Sequence, residues 1–151
     1  MRLALLSLLM IATMPARSDG WLCIADAITG FTYDVNSRSW KPQQFRAEFK
    51  YVVRRATPED PFATALGAKW TVQEFGAQVP TAVCQNNPVS STLLTCGTLS
   101  GGEFLLNTIE LRYLFTRQGG YFYPRDVLKN AIKEDGGPDD VAMEIGKCSP
   151  L

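Results

Sequence analysis

The chain has 151 residues, no formal net charge and no histidine, and 46% of its residues are hydrophobic. These values are ordinary for a globular domain and point to neither a disordered nor a fibrous protein. The missing histidine excludes Ser-His-Asp and Cys-His catalytic sites and the common metal sites that use histidine ligands. The balanced charge argues against a broad basic surface for nucleic acid. We therefore predict no cofactor and no nucleic-acid partner.

The start of the chain has the three-part layout of a secretory signal peptide. Residues 1–2 give a positive start, residues 3–14 form an apolar run, and Ala16 and Ser18 place small side chains at the −3 and −1 positions of a cleavage site. A membrane span needs about 20 apolar residues, and this run is shorter. We predict a signal peptide over residues 1–18, a single domain over residues 19–151, and a periplasmic or secreted location with no membrane span.

The four cysteines form an even set, which in an oxidising compartment predicts two disulfides. No C-x-x-C spacing is present and no histidine can complete a zinc site, so disulfides are favoured over zinc or redox chemistry. Four cysteines allow three pairings. We favour Cys84–Cys96, which closes a local loop rich in Pro, Ser and Asn, and Cys23–Cys148, which ties the two ends of the chain together.

Apolar and polar residues mostly alternate along the chain, which is the period of strands with one wet face. In the last such run, Val141, Met143 and Ile145 form the apolar set that alternates with Ala142 and Glu144. Turn-like glycine, proline and asparagine residues separate most of the runs. The strand candidates lie at residues 31–35, 45–53, 70–73, 82–85, 92–95, 103–106, 109–116, 121–123 and 141–145.

Two segments depart from this pattern. Residues 56–68 predict a long loop with one turn near Phe62 to Leu66, and residues 125–133 repeat apolar side chains at helical spacing. About eight antiparallel strands with one wet face predict an all-β domain, either a small barrel or a sandwich, with one short helix near residues 125–133. We favour the barrel because closure removes exposed sheet edges.

Aromatic residues give the most suggestive candidates for a binding surface. The segment Gly119 to Arg125 joins a glycine turn, three consecutive aromatic residues and an arginine. In a strand Tyr121 and Tyr123 share one face, so we expect both to be accessible and Phe122 to be buried. Because tyrosine and arginine are over-represented at interface hot spots, we predict Tyr121, Tyr123 and Arg125 as binding residues. Three further aromatic residues either line the same cavity or build the core: Trp40, Trp70 and Tyr113.

Several short motifs resemble a group of small exported four-cysteine proteins of Gram-negative bacteria. They are a W-x-C-I-A-D opening at residues 21–26 with Gly30-Phe31, and an E-I-G-x-C closing at residues 144–148. The resemblance implies a periplasmic or secreted destination, and it implies no activity, cofactor or catalytic residue. In size, export and disulfide use the chain is also similar to the periplasmic lysozyme inhibitors built on small β-barrels, although no inhibitory loop motif is matched.

Two classes of function remain open at this stage. The leading hypothesis is a non-catalytic binding or interaction module of the cell envelope, for a protein or a small apolar ligand. The alternative is an envelope hydrolase that uses paired carboxylates, as glycosidases do. A deep cleft with two facing carboxylates would favour the enzyme, whereas an exposed aromatic patch or an apolar cavity would favour the binding module.

Overall fold

In the part of the chain that the computed structural model describes, nine β-strands and the short helix α1 form the main regular structure. The structure describes residues 19–34, 36–86, 90–98, 100–118, 121 and 140–151. Within these ranges no helix is long and apolar enough to cross a membrane. The helix predicted near residues 125–133 lies outside the described residues. The elements are β1 Gly20–Asp34, β2 Ser39–Phe45, β3 Lys50–Arg55, α1 Pro61–Ala65, β4 Trp70–Glu74, β5 Ala82–Asn86, β6 Leu93–Thr98, β7 Glu103–Asn107, β8 Arg112–Arg117 and β9 Val141–Pro150.

Eight of the strands close into an antiparallel barrel. Their hydrogen-bonded order is β1-β3-β4-β5-β6-β7-β8-β9, and β9 pairs back with β1. The predicted all-β class with about eight antiparallel strands is therefore confirmed. Of the two architectures left open by the sequence, the chain adopts the barrel, which has no unpaired edge strands of its own.

The strand β1 is longer than the barrel and carries a ninth strand on its second half. β1 has 15 residues; Gly20 to Ile24 pair with β3, and Ile28 to Asp34 pair with β2. We call this extension, together with the first residues of β9, the ribbon. Pro42 lies in the middle of β2, and a proline in an edge strand turns its missing N–H toward solvent. Pro42 and the neighbouring Lys41 thus protect the edge from further strand pairing.

The barrel interior is packed with side chains. Aromatic rings dominate it, and the Phe104 and Tyr113 rings stack at a centroid distance of 4.9 Å. The rings of Tyr51 and Phe115 contact each other edge to face. The core cluster is Cys23, Tyr51, Val53, Val72, Ala82, Cys84, Leu94, Cys96, Phe104, Leu106, Tyr113, Phe115 and Cys148. The side chains of the described strands therefore fill the interior of the barrel.

The inward face of β9 is the opposite of the one that its apolar alternation suggested. Met143 and Ile145 are each 50% exposed, whereas the buried set is Ala142, Glu144, Gly146 and Cys148. Space explains the reversal. A side chain at Gly146 would overlap the Tyr113 ring and the carbonyl of Ile24, so this face of β9 has to be small where the rings fill the barrel.

Both predicted disulfides are confirmed. Cys23–Cys148 joins directly opposed residues of β1 and β9, at the seam that closes the barrel. Cys84–Cys96 joins directly opposed residues of the β5–β6 hairpin. Two disulfides indicate an oxidising, extracytoplasmic environment for the folded protein.

The long loop between β3 and β4 is anchored by an ion pair. The two terminal nitrogens of Arg54 donate to the two carboxylate oxygens of Asp60 at 2.8 Å each, and the backbone N–H of Thr57 also donates to Asp60. The turn predicted near Phe62 to Leu66 is the helix α1, which follows Asp60 directly. Hydrogen bonds from Arg54 hold the pKa of the Asp60 carboxyl well below its usual range.

Replacing Asp60 by asparagine tests this anchor. We expect Asp60→Asn to lower the free energy of unfolding by about 2 kcal/mol at neutral pH, because Asp60 is buried and its bonds to Arg54 are charge-assisted. A depressed folded-state pKa stabilises the protein above the unfolded-state pKa and loses that effect as the pH falls. The difference between the two proteins should thus shrink below about pH 4.

Urea unfolding at several pH values measures this difference. Asp26→Asn is the matched control, since Asp26 forms a half-exposed pair with Lys147 at 3.7 Å and should matter little. An equal loss in both variants, or a loss for Asp60→Asn that does not change with pH, would contradict the assignment.

Candidate functional site

An apolar groove lies on the outer face of the ribbon. Phe31 is paired with Val141 on one side and Pro42 on the other, and Tyr33 is paired with Trp40. Directly opposed residues share a sheet face, and alternate residues of one strand share it too. The side chains of all five therefore project from one face, opposite to the face on which Ile28 enters the core.

Rings and aliphatic side chains line this groove. Its volume is about 460 Å³, and we call it the aromatic groove; among the described residues it is lined by Phe31, Trp40, Gln118, Tyr121 and Val141. The Trp40 ring lies 5.5 Å from the Tyr121 ring and 5.4 Å from the Tyr33 ring, centroid to centroid. The three rings thus form a row, in which Trp40 lies between Tyr33 and Tyr121 and contacts both. Phe31 is 48% exposed and Tyr121 63% exposed, so the groove opens to solvent.

The hairpin turn between β1 and β2 fixes the position of Trp40. The Asp34 carboxylate accepts hydrogen bonds from the backbone N–H groups of Asn36 and Ser37 and forms an ion pair with Lys41. Arg38 adopts a positive φ of 49°, which completes the reversal. The turn sets the register in which Trp40 lies opposite Tyr33.

The predicted binding residues have different outcomes. Tyr121 lines the groove and is accessible, as expected, but it is helical and does not lie in the strand predicted over residues 121–123. Tyr123, Arg125 and Phe122 lie outside the described residues, so their roles stay predictions.

The other aromatic candidates are not brought to the groove, apart from Trp40. Tyr113 belongs to the barrel core. Trp70 packs on Trp21 at a centroid distance of 4.9 Å, and both pack against that core. Trp70 also lies under the guanidinium of Arg55 at 4.6 Å.

A buried polar cluster inside the barrel was not predicted. Glu144 is fully buried, and its Oε1 accepts a hydrogen bond from the Tyr113 hydroxyl at 2.6 Å. Its Oε2 accepts from the Tyr51 hydroxyl at 3.2 Å and from Nη2 of Arg117 at 2.5 Å. The guanidinium of Arg117 lies over the Phe49 ring at 4.4 Å. We call Glu144, Arg117, Tyr51 and Tyr113 the interior cluster.

Burial dominates the electrostatics of this cluster. It raises the pKa of Tyr51 and of Tyr113 far above the usual tyrosine range, and the neighbouring Glu144 carboxylate adds to both shifts. Both tyrosines are therefore hydrogen-bond donors to Glu144 at any physiological pH. The sequence did contain a signal for this cluster: Glu144 and Cys148 are four residues apart in a strand and so share a face.

Other chemistry finds little support in the described residues. No three acidic or cysteine side chains come together in a way that could hold a metal ion within the ranges described. The hydrogen bonds to Glu144 come from two phenols and a guanidinium. Comparison with known proteins adds no assignment, because no family model, curated protein or solved structure matches this chain.

Proposed function

We propose that this protein is a non-catalytic binding protein of the periplasm or of the secreted fraction, and that its aromatic groove binds a small apolar ligand with a flat ring. The observation that carries the proposal is the row of contacting rings, Tyr33, Trp40 and Tyr121, beside an open groove of about 460 Å³. That volume falls within the range of small-molecule sites, about 300–1,000 Å³.

The chemistry of the lining favours a flat ring over other apolar shapes. A ring can stack on the indole of Trp40 in an offset or tilted arrangement, which is the preferred geometry of aromatic pairs. Tyr121 and Gln118 add polar groups at the wall of the groove, and such groups fix the orientation of a ligand. The expected ligand is therefore apolar in its body and able to form a hydrogen bond at one edge.

The scaffold suits binding because it holds two of the three contacting rings, Tyr33 and Trp40, on paired strands. Phe31, Trp40 and Val141 belong to three hydrogen-bonded strands of one ribbon. The Cys23–Cys148 disulfide joins two of these strands further down. Rigid placement lowers the entropy cost of binding, since little has to be ordered when the ligand arrives. The predicted signal peptide supports the proposed location.

Titration with Nile red, an uncharged fluorescent dye with fused flat rings, tests the proposal. We expect saturable binding with increased dye emission, and about tenfold weaker binding by Trp40→Ala. The loss corresponds to one buried ring face of roughly 60 Å², or about 1.5 kcal/mol. Trp40→Phe should lie between the two, because it keeps a smaller ring.

Phe75→Ala is the matched control variant. Phe75 is 69% exposed in the turn after β4, so it is an accessible aromatic residue that does not line the groove. It should bind the dye as the unmodified protein does. No saturable binding, or an equal loss in Phe75→Ala and Trp40→Ala, would overturn the proposal and leave an interaction with another protein as the remaining form of the binding hypothesis.

A further inference from the structure

We propose that Glu144, at the centre of the interior cluster, is a positioning residue for the aromatic groove and acts through Arg117. The inference rests on the proposed function, because it concerns the shape of the same groove. Glu144 itself is fully buried in the barrel and is absent from the groove lining. Glu144 can therefore position the groove only through the contacts that connect it to the ends of β8 and β9.

The first link is the ion pair. Nη2 of Arg117 donates to Oε2 of Glu144 at 2.5 Å. Arg117 is the last residue of the strand β8. The Arg117 guanidinium also packs over the rings of Phe49 and Phe115, at 4.4 and 5.2 Å. Arg117 is thus held both by charge and by rings, and this fixes the end of β8.

The second link runs from Arg117 into the groove. Gln118 follows Arg117 in the chain and lines the groove, and its carbonyl accepts a hydrogen bond from the N–H of Tyr121 at 3.1 Å. The Tyr121 ring then contacts Trp40. In this way one buried carboxylate is connected to the wall of the groove that faces the ribbon.

The third link is the strand β9. Arg117 is paired with Ala142, the neighbour of Val141, which also lines the groove. Glu144 lies two residues further along the same strand. Glu144 and Arg117 therefore clamp the two strand ends that carry Gln118 and Val141.

An ion pair suits this role better than apolar packing would. A buried ion pair contributes little net stability compared with apolar side chains of the same volume, since desolvation offsets the attraction. It does impose direction, because the planar guanidinium has to meet the carboxylate in a defined orientation. A defined orientation of Arg117 at the end of β8 is what keeps the Tyr121 ring in place against Trp40.

Two measurements test the inference: the affinity for Nile red, and the NMR signal of the Trp40 indole N–H. We expect Glu144→Gln and Arg117→Met to weaken dye binding about tenfold in protein that remains folded, as coupled neighbours do. Arg117→Lys keeps a cation beside Glu144 and should recover part of this affinity. Without ligand, the Trp40 indole N–H signal should shift in Glu144→Gln, because the Tyr121 ring moves relative to it.

A destabilised but correctly positioned protein is the control. Replacing Cys84 and Cys96 by alanine weakens the β5–β6 hairpin and should leave both dye affinity and the Trp40 signal unchanged. If Glu144→Gln leaves both unchanged as well, the positioning role is wrong. If the unmodified protein does not bind the dye, the proposed function fails, and the Trp40 signal alone then decides whether Glu144 positions the groove.

Discussion

Replacing both Cys23 and Cys148 by alanine should lower the free energy of unfolding by about 5 kcal/mol, the largest effect expected of any change in this chain. The disulfide joins residues 125 positions apart. A cross-link lowers the conformational entropy of the unfolded chain, and this stabilising effect grows with the length of the closed loop. The bond also lies at the β1–β9 seam, where the barrel closes on itself. Urea unfolding under non-reducing conditions measures the change.

The second disulfide provides an internal comparison. Cys84 and Cys96 are 12 positions apart, so the same treatment gives about 3 kcal/mol for their replacement by alanine. Typical domains have only 5–15 kcal/mol of stability, so the variant without Cys23–Cys148 should be close to unfolding at room temperature. A smaller loss at the β1–β9 seam than at the β5–β6 hairpin would contradict the idea that barrel closure depends on the first bond.

Replacing Arg117 by methionine should cost about 3 kcal/mol. Methionine keeps much of the apolar packing on Phe49 and removes the charge, which leaves the fully buried Glu144 carboxylate without its cation. Breaking a buried pair on one side costs about 3–5 kcal/mol. We place this variant at the lower end, since Arg117 is 34% exposed and Tyr51 and Tyr113 still donate to the carboxylate.

A double variant isolates the charge effect. Adding Glu144→Gln to Arg117→Met removes the uncompensated charge, and the amide oxygen can still accept bonds from the two tyrosines. We expect the double variant to recover at least about 1 kcal/mol relative to Arg117→Met, measured by the same unfolding experiment. Additive losses from the two changes would mean that Glu144 and Arg117 are not coupled in the folded protein.

Most strands after β2 and the covalent frame could be predicted because their signals are local or can be counted, whereas most of β1 and β2 was not predicted. Alternation identifies residues 50–53 of β3 as a strand with one wet face, and it needs no knowledge of the neighbouring strands. The single strand predicted over residues 45–53 is wrong, because residues 46–49 form no strand and separate β2 from β3. Four cysteines in an oxidising environment allow three pairings, and the pairing of the chain ends also closes the barrel. The strand positions and the disulfide pairing both follow from the order of residues along the chain, without knowledge of which strands are neighbours.

The orientation of β9 was missed because alternation shows two faces without showing which one is inside. The apolar set Val141, Met143 and Ile145 suggested the core, yet these residues face outward along the ribbon and the barrel wall. The buried face carries small residues and one acid, because aromatic rings from other strands fill the barrel. The position of Cys148 in a predicted disulfide would have identified the correct face.

The groove could be predicted only in part, because it depends on register and on closure. Tyr121 and Trp40 were both candidates, but their contact requires the β1–β2 hairpin to place Trp40 opposite Tyr33. No local pattern distinguishes Trp40 from Trp70, which packs on Trp21 instead. A shift of one residue in the hairpin would turn Trp40 to the other face of the ribbon.

The three tryptophans allow the most direct test of the groove as a binding site. An NMR spectrum of nitrogen-labelled protein shows one indole N–H signal for each tryptophan, and single Trp→Phe variants assign these signals. Titration with unlabelled indole, an uncharged flat ring, should shift the Trp40 signal in a saturable manner and leave the signals of Trp21 and Trp70 in place. Shifts at Trp21 or Trp70, with Trp40 unchanged, would contradict binding in the aromatic groove.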